Sequence, residues 1–337
     1  MTKPRAVVFG VSGTSLTADE RAFLRDANPL GFILFGRNCE SPDAIRTLTE
    51  DLRDAVGRAD APVLIDQEGG TVMRLRPPIW RDAPAAQVLG NLYRRAPERA
   101  ENAAQALGAM FGAQLRELGI DVDCAPVGDL GLPETTGAIG TRAYSDHPGT
   151  VSRLARCMAK GLMAEGCLPI IKHLPGHGRA HVDSHRVLPR VGTDLETLQN
   201  SDFAVFKALC DLPLGMSAHV VFEAIDPDAP ATISKTIITQ IIREHIGFDG
   251  FLFSDDIAMS ALQGSPAERA TQVLAAGCDA VLHCTGDLAE MVAVADVTGP
   301  LSAASWSRWE KARTAGMKVS GYDADYHAQQ LAQFLKT

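Results

Sequence analysis

No apolar run in this chain approaches the length of a membrane span. The N-terminal run Ala6–Val11 is also too short for the core of a signal peptide, and a helix start follows it, so no leader is expected. Positive charge is scarce: 32 Lys and Arg against 41 Asp and Glu give a formal net charge of −9. That balance excludes the basic footprint that nucleic acids and anionic membranes require. Cysteine pairs at CxxC spacing are missing. The seven cysteines, Cys39, Cys124, Cys157, Cys167, Cys210, Cys278 and Cys284, are odd in number and mostly sit in apolar contexts. They read as buried thiols of a reducing compartment, so a cytoplasmic protein is expected. Low-complexity linkers and shifts of composition are absent too, which leaves residues 1–337 as one domain. GVSGTS after Val8-Phe9 does not match the GxGxxG dinucleotide fingerprint, and no HExxH marks a helical zinc site.

What remains is an ordinary globular composition, 46% hydrophobic and 22% charged, with a repeated alternation of short apolar runs and helical patterns. The strand-like runs are Val7–Val11, Phe32–Phe35, Val63–Asp66, Asp121–Pro126, Pro169–His173, Leu214–Val220, Phe251–Asp255 and Ala280–Cys284. Helix starts fall between them. Thr17 with Glu20, and Thr193 with Glu196, have capping-box spacing; Ser41-Pro42 and Ser265-Pro266 place a cap before a proline, and Ser234 opens another helix. Pro97–Leu118 carries an apolar stripe that Gly119 ends, and the tail Ala303–Ala315 is a helix whose Trp306 and Trp309 are packing residues. Strands buried on both faces and separated by helices form a parallel sheet. Eight such units favour an α/β fold, a single (β/α)8 TIM-type barrel, with a mobile loop after strand 4, over an open doubly wound sheet.

In such a barrel the chemistry sits where the strands end. Polar residues gather there: Asp66-Gln67-Glu68, Lys172-His173, His219 and Asp255-Asp256. One stretch stands out, Ile170–His185, reading IIKHLPGHGRAHVDSH. It starts as a strand and becomes a loop at Pro175, Gly176 and Gly178, carrying His173, His177, His181, His185 and Asp183. Histidine titrates near neutrality, so the cluster suggests proton transfer or metal binding, or else a polar surface loop. Its i, i+4 spacing would be a metal stripe on a helix, but proline and glycine interrupt the helix. Carboxylates beside lysine and arginine suit a sugar. Asp66, Arg74, Arg142 and Lys172 can grip hydroxyls, and Asp255 or Asp256 can face an oxocarbenium-like transition state.

Five segments together resemble glycoside hydrolase family 3: DQEGG at Asp66–Gly70, IGTRAY around Arg142, KHLPGHG at Lys172–Gly178, DSH at Asp183–His185 and GFDGFLFSDDIAM at Gly247–Met259. Most similar are the family's single-domain bacterial β-N-acetylglucosaminidases of peptidoglycan recycling. The resemblance implies a retaining exo-β-N-acetylglucosaminidase acting on GlcNAc-anhydro-muropeptides, with Asp255 as nucleophile and His185, held by Asp183, as acid/base. The alternative at the strand end is Asp255 as a helix cap with Asp256 as nucleophile. Sugar contacts map onto Asp66, Arg74, Arg142, Lys172 and His173. Adjacent strand residues face opposite ways, so Lys172 and His173 can share one ligand only where the strand ends. Leu174 replaces the phenylalanine common in the motif. The expected partner is a small carbohydrate, with no cofactor, no metal, no nucleic acid and no membrane, and a monomer is plausible. Competing readings on the same scaffold are a β-N-acetylglucosaminide phosphorylase, a metal-dependent barrel hydrolase and a non-catalytic sugar-binding barrel.

Overall fold

A computed structural model of the chain describes residues 3–133, 139–182, 187–315 and 323–336. Among the described residues, eight parallel strands close into a barrel. They are β1 Arg5–Gly10, β2 Pro29–Leu34, β3 Val63–Ile65, β4 Val122–Asp123, β5 Leu168–Leu174, β6 Leu214–Ser217, β7 Phe251–Asp256 and β8 Ala280–His283. Spatial order follows chain order, and β8 pairs back to β1. The expected (β/α)8 barrel is therefore present. The glycine-bearing loop expected after strand 4 leaves β5 instead, because the two-residue β4 is a full member of the ring.

Parallel neighbours need crossovers, and helices supply them. Their starts follow local chemistry. Thr17 and Ser265 form reciprocal capping boxes with Glu20 and Glu268, and Ser41 caps Pro42–Val56 through the Ala44 amide. The expected Thr193–Glu196 box is replaced. Asp194 caps Leu195–Asn200, its carboxylate accepting the Thr197 amide at 2.8 Å. A full negative charge there also opposes the positive end of the helix dipole. That helix breaks at Ser201 and resumes as Asp202–Lys207, where one helix was expected. Ser234 Oγ accepts the Ile237 amide at 3.1 Å, where the next segment, Ile237–His245, begins and winds as a π-helix. Three further features lie beyond the sequence reading: an antiparallel pair, Gln67–Gly69 with Val72–Met73; a small parallel pair, Arg190–Val191 with Val221–Phe222; and a C-terminal helix, Ala324–Leu335, packed on Pro97–Glu117. No helix among the described residues is long and apolar enough to cross a membrane.

Both faces of the sheet are buried, yet the side chains still sort by twos. Val8, Leu64, Ile170, Phe251, Phe253 and Leu282 pack together inside the barrel. Their neighbours Val7, Phe9, Ile65, Ile171, Leu252 and Val281 join the helices' apolar faces, among them Leu48, Leu107 and Val273. The expectation that Trp309 packs rather than functions holds. From helix Ala303–Ala315 it enters the inner cluster, 3% exposed, with its ring 5.5 Å from Phe251 at the start of β7. It plugs the end of the barrel where the strands begin. Trp309→Ala should therefore lower unfolding stability by about 3–5 kcal/mol, as large-to-small changes of buried aromatics do. Urea denaturation measures this, and a loss below about 1 kcal/mol, the level of an ordinary substitution, would remove the plug role.

Candidate active site

The inward positions change character at the ends of the strands. Asp66 stands two residues after inward Leu64, Lys172 two after Ile170, Asp255 two after Phe253 and Cys284 two after Leu282. The period that builds the core thus aims charged groups into one cavity, of about 200 Å3, at the C-terminal mouth of the barrel. Asp66, Arg74, Arg142, Lys172, His173 and Asp255 all line it, so six of the eight expected site residues meet. The other two, Asp183 and His185, lie outside the described residues.

The polar wall is a chain of alternating charge. Arg74 Nη2 donates to Asp66 Oδ2 at 2.8 Å, and Lys172 Nζ donates to Asp66 Oδ1 at 2.8 Å. The same ammonium lies 2.6 Å from Glu68 Oε1, and Arg142 grips Glu68 with Nε and Nη2, each at 2.8 Å. Burial works against charge on both carboxylates, but Lys172 and Arg74 hold Asp66, and Arg142 and Lys172 hold Glu68, below the usual carboxylate range. Burial would likewise lower Lys172, and the two carboxylates push it up instead. Glu68, a member of the DQEGG segment not expected in the site, holds both Arg142 and Lys172 toward the cavity. Arg74 also stacks its guanidinium over Phe35, 4.8 Å from the ring centre.

DQEGG now has a local explanation. Gly69 and Gly70 sit at φ +99° and +60°, and a Cβ on Gly69 would stand 2.3 Å from the Pro84 carbonyl oxygen. The two glycines turn the chain so that Arg74 comes back onto Asp66. Gln67 locks the turn: its Oε1 accepts the Arg74 and Leu75 amides at 3.0 and 3.1 Å, and its Nε2 donates to the Leu75 carbonyl.

Lys172 and His173 both reach the cavity although they are neighbours in sequence. Pairing between β5 and β6 slips between Lys172 and Leu174, which breaks the alternation there. Asp129, beyond the end of β4, then fixes the imidazole: its Oδ2 lies 2.6 Å from His173 Nδ1, and its Oδ1 accepts the His177 amide at 2.7 Å. The carboxylate orients the ring and leaves Nε2 for the cavity. Asp129 and His177 were missed as site residues. Asp129 lies in the loop past the end of β4, beyond the strand-end positions that marked Asp66 and Asp255. His177 lines the cavity, and burial, with His173 adding to it, pushes its imidazole down to about 4. His181 is exposed. Among the described residues no three His, Cys, Asp or Glu side chains cluster as metal ligands.

The two adjacent aspartates differ. Asp256 Oδ1 accepts the amides of Ala258 and Cys284, at 3.0 and 3.2 Å. Burial, aided by the negative charge of Asp255, raises its carboxyl. Asp255 accepts the Asp256 amide at 2.8 Å. Burial opposes its charge too, but His219, His173 and that amide hold it below its usual value. Among the described residues, Asp255 is the cavity carboxylate held in its charged form with no cation bonded to it.

A carboxyl depressed on folding adds stability above its unfolded value, near ~4, and loses it as pH falls through the folded value. Asp66→Asn should thus flatten the acid limb of the stability–pH curve below about pH 4. At neutral pH, where the wild-type pair is charged, it should cost about 3 kcal/mol, because Lys172 and Arg74 lose a buried partner. Superimposable acid limbs in thermal melts of the two proteins would show that Asp66 is not held this way.

Comparison with known proteins places this geometry. The glycosyl hydrolase family 3 N-terminal domain matches residues 6–307. A β-hexosaminidase of Alkalilimnicola ehrlichii is 38% identical over 282 residues, covering 82% of this chain and 80% of that protein. One from Pseudomonas aeruginosa is 34% identical over 320 residues, covering 94% and 93%. Among solved structures, NagZ from Neisseria gonorrhoeae in complex with N-trifluoroacetyl-D-glucosamine superposes with a TM-score of 0.87 at 32% identity over 99% of both chains. The chain belongs to glycoside hydrolase family 3.

Proposed function

We propose that this glycoside hydrolase is a retaining exo-β-N-acetylglucosaminidase. It removes terminal N-acetylglucosamine from peptidoglycan fragments, GlcNAc-anhydro-muropeptides, in the cytoplasm, with residues 1–337 acting as one catalytic domain. The β-hexosaminidase relatives, and the glucosamine derivative bound in the gonococcal NagZ structure, support the sugar. Seven free cysteines, five of them buried, accord with a reducing compartment.

The difference between the two strand-end aspartates supports the nucleophile. Asp256 spends its carboxylate on backbone amides, whereas Asp255 keeps an ionised one toward the cavity. In the first step Asp255 bonds to the anomeric carbon as the glycosidic C–O bond breaks, and His185 gives its proton to the leaving oxygen. In the second step His185 takes a proton from water, which attacks the same carbon and frees Asp255. Asp183 orients the imidazole and favours its charged form. Two of the cavity carboxylates, Asp66 and Glu68, are ion-paired and are poor proton donors. His177, lowered to about 4, carries no proton to give at neutral pH. The likeness of Asp183–His185 to the family's Asp-x-His pair supports a histidine as the acid. Asp66, Arg74, Arg142, Lys172 and His173 hold the sugar hydroxyls with charge-assisted bonds worth about 1.5–3 kcal/mol each.

Asp255→Ala should lose activity by orders of magnitude and still fold, since it leaves every ion pair of the polar wall intact. A 2-fluoro or 5-fluoro sugar should label wild type on Asp255, and peptide mapping that finds the label on Asp256 would reverse the assignment. His185→Ala should slow substrates with poor leaving groups far more than nitrophenyl glycosides, with Asp183→Ala showing the same bias more mildly. Equal losses on both substrate types, with azide failing to rescue, would reduce the pair to a structural role.

A further inference from the structure

His219 is fully buried, two residues beyond the end of β6, and it does not line the cavity. It stands behind the strand that carries the nucleophile. Its Nε2 lies 2.9 Å from the main-chain oxygen of Asp256. A carbonyl oxygen can only accept, so Nε2 carries the proton. Its Nδ1 lies 2.9 Å from Thr232 Oγ1, and that hydroxyl is itself fixed by Ser217 Oγ at 2.9 Å and by the Ala218 carbonyl at 2.8 Å. Ser217 is the last residue of β6. The relay thus ties the end of β6, through one imidazole, to the end of β7.

Asp256 needs such a tie. Pairing of β7 with β8 shifts register between Phe253 and Asp256 and resumes only with Asp256 opposite Leu282, where the Ile257 amide donates to the Leu282 carbonyl at 2.9 Å. Five hydrogen bonds hold Asp256: its amide on Asp255 Oδ1, its carboxylate on the Ala258 and Cys284 amides, and its carbonyl on His219 Nε2 and on the Met259 amide, the last at 3.1 Å. The first of these orients the nucleophile directly. Rotation of residue 256 would swing that amide and take the Asp255 carboxylate with it.

We propose that His219 is a positioning residue for the nucleophile, acting through the Asp256 carbonyl. The proposal rests on Asp255 being the nucleophile. His219 touches no substrate, and its effect falls on the attack at the anomeric carbon rather than on sugar binding, which belongs to the Asp66–Arg142 wall. Near-attack geometry is sensitive: a shift of about 1 Å can cost about 100-fold in rate.

The test follows the rate at which a fluoro-sugar labels the full-length chain, beside its affinity for N-acetylglucosamine. His219→Leu removes the donor. It should label about 100-fold more slowly while binding N-acetylglucosamine as wild type does. His219→Gln places an amide N–H toward the same carbonyl and should recover most of the rate. Wild-type labelling of Asp255 in the Leu variant would overturn the proposal, as would parallel loss of rate and affinity, or a Gln variant as slow as Leu. A wild-type label away from Asp255 would overturn the nucleophile assignment and this proposal together. If the Leu variant fails to fold, Thr232→Val decides, because it removes the hydroxyl bracing Nδ1 and keeps the imidazole. Slower labelling with unchanged affinity supports positioning, and an unchanged rate overturns it.

Discussion

The alternating chain Arg74–Asp66–Lys172–Glu68–Arg142 is the constraint on which this site depends. Lys172 and Glu68 are buried and the other three are partly so, and a buried charge there is costly without its neighbours. The five links come from four pieces of the fold: the stretch after β3 that carries Asp66 and Glu68, the return of the glycine turn, the end of β5, and the short 3-10 turn Gly140–Arg142. Electrostatics therefore dictates where four separate segments come to rest. The result is a wall of donors fixed before any sugar arrives, so little reorganisation is left for the moment of binding.

Against that wall the carboxylates divide their work by environment alone. Asp66 and Glu68 answer cations, Asp129 answers an imidazole, and Asp256 answers amides. Asp255 is steadied by one amide and by His219, His173 and Lys172, and among the described residues no cation is bonded to it. The wall holds three cations and two carboxylates, a surplus of one positive charge that helps keep the facing carboxylate ionised.

Much of this was legible because a strand has a period of two. Once Phe251 and Phe253 point inward, Asp255 must follow, and the same holds for Lys172 after Ile170. Residues that speak to the protein rather than to the sugar were harder to see. Glu68 and Asp129 act by aiming Arg142 and His173, and those partners lie 74 and 44 positions away in the chain. Asp194 displaced the expected Thr193 cap because a register one residue later offers a charged acceptor. The C-terminal helix escaped notice for a similar reason. One of its docking contacts, His327 on Glu165, joins residues 162 apart, and no local pattern announces such a bond.

The plug at the base of the barrel has a consequence for traffic. Among the described residues, Trp309, Phe251 and Phe253 fill the interior where the strands begin, so the cavity has a floor. Nothing passes through the barrel from mouth to base. Whatever binds at the mouth also leaves by the mouth, and a molecule still seated there stands in the way of the next.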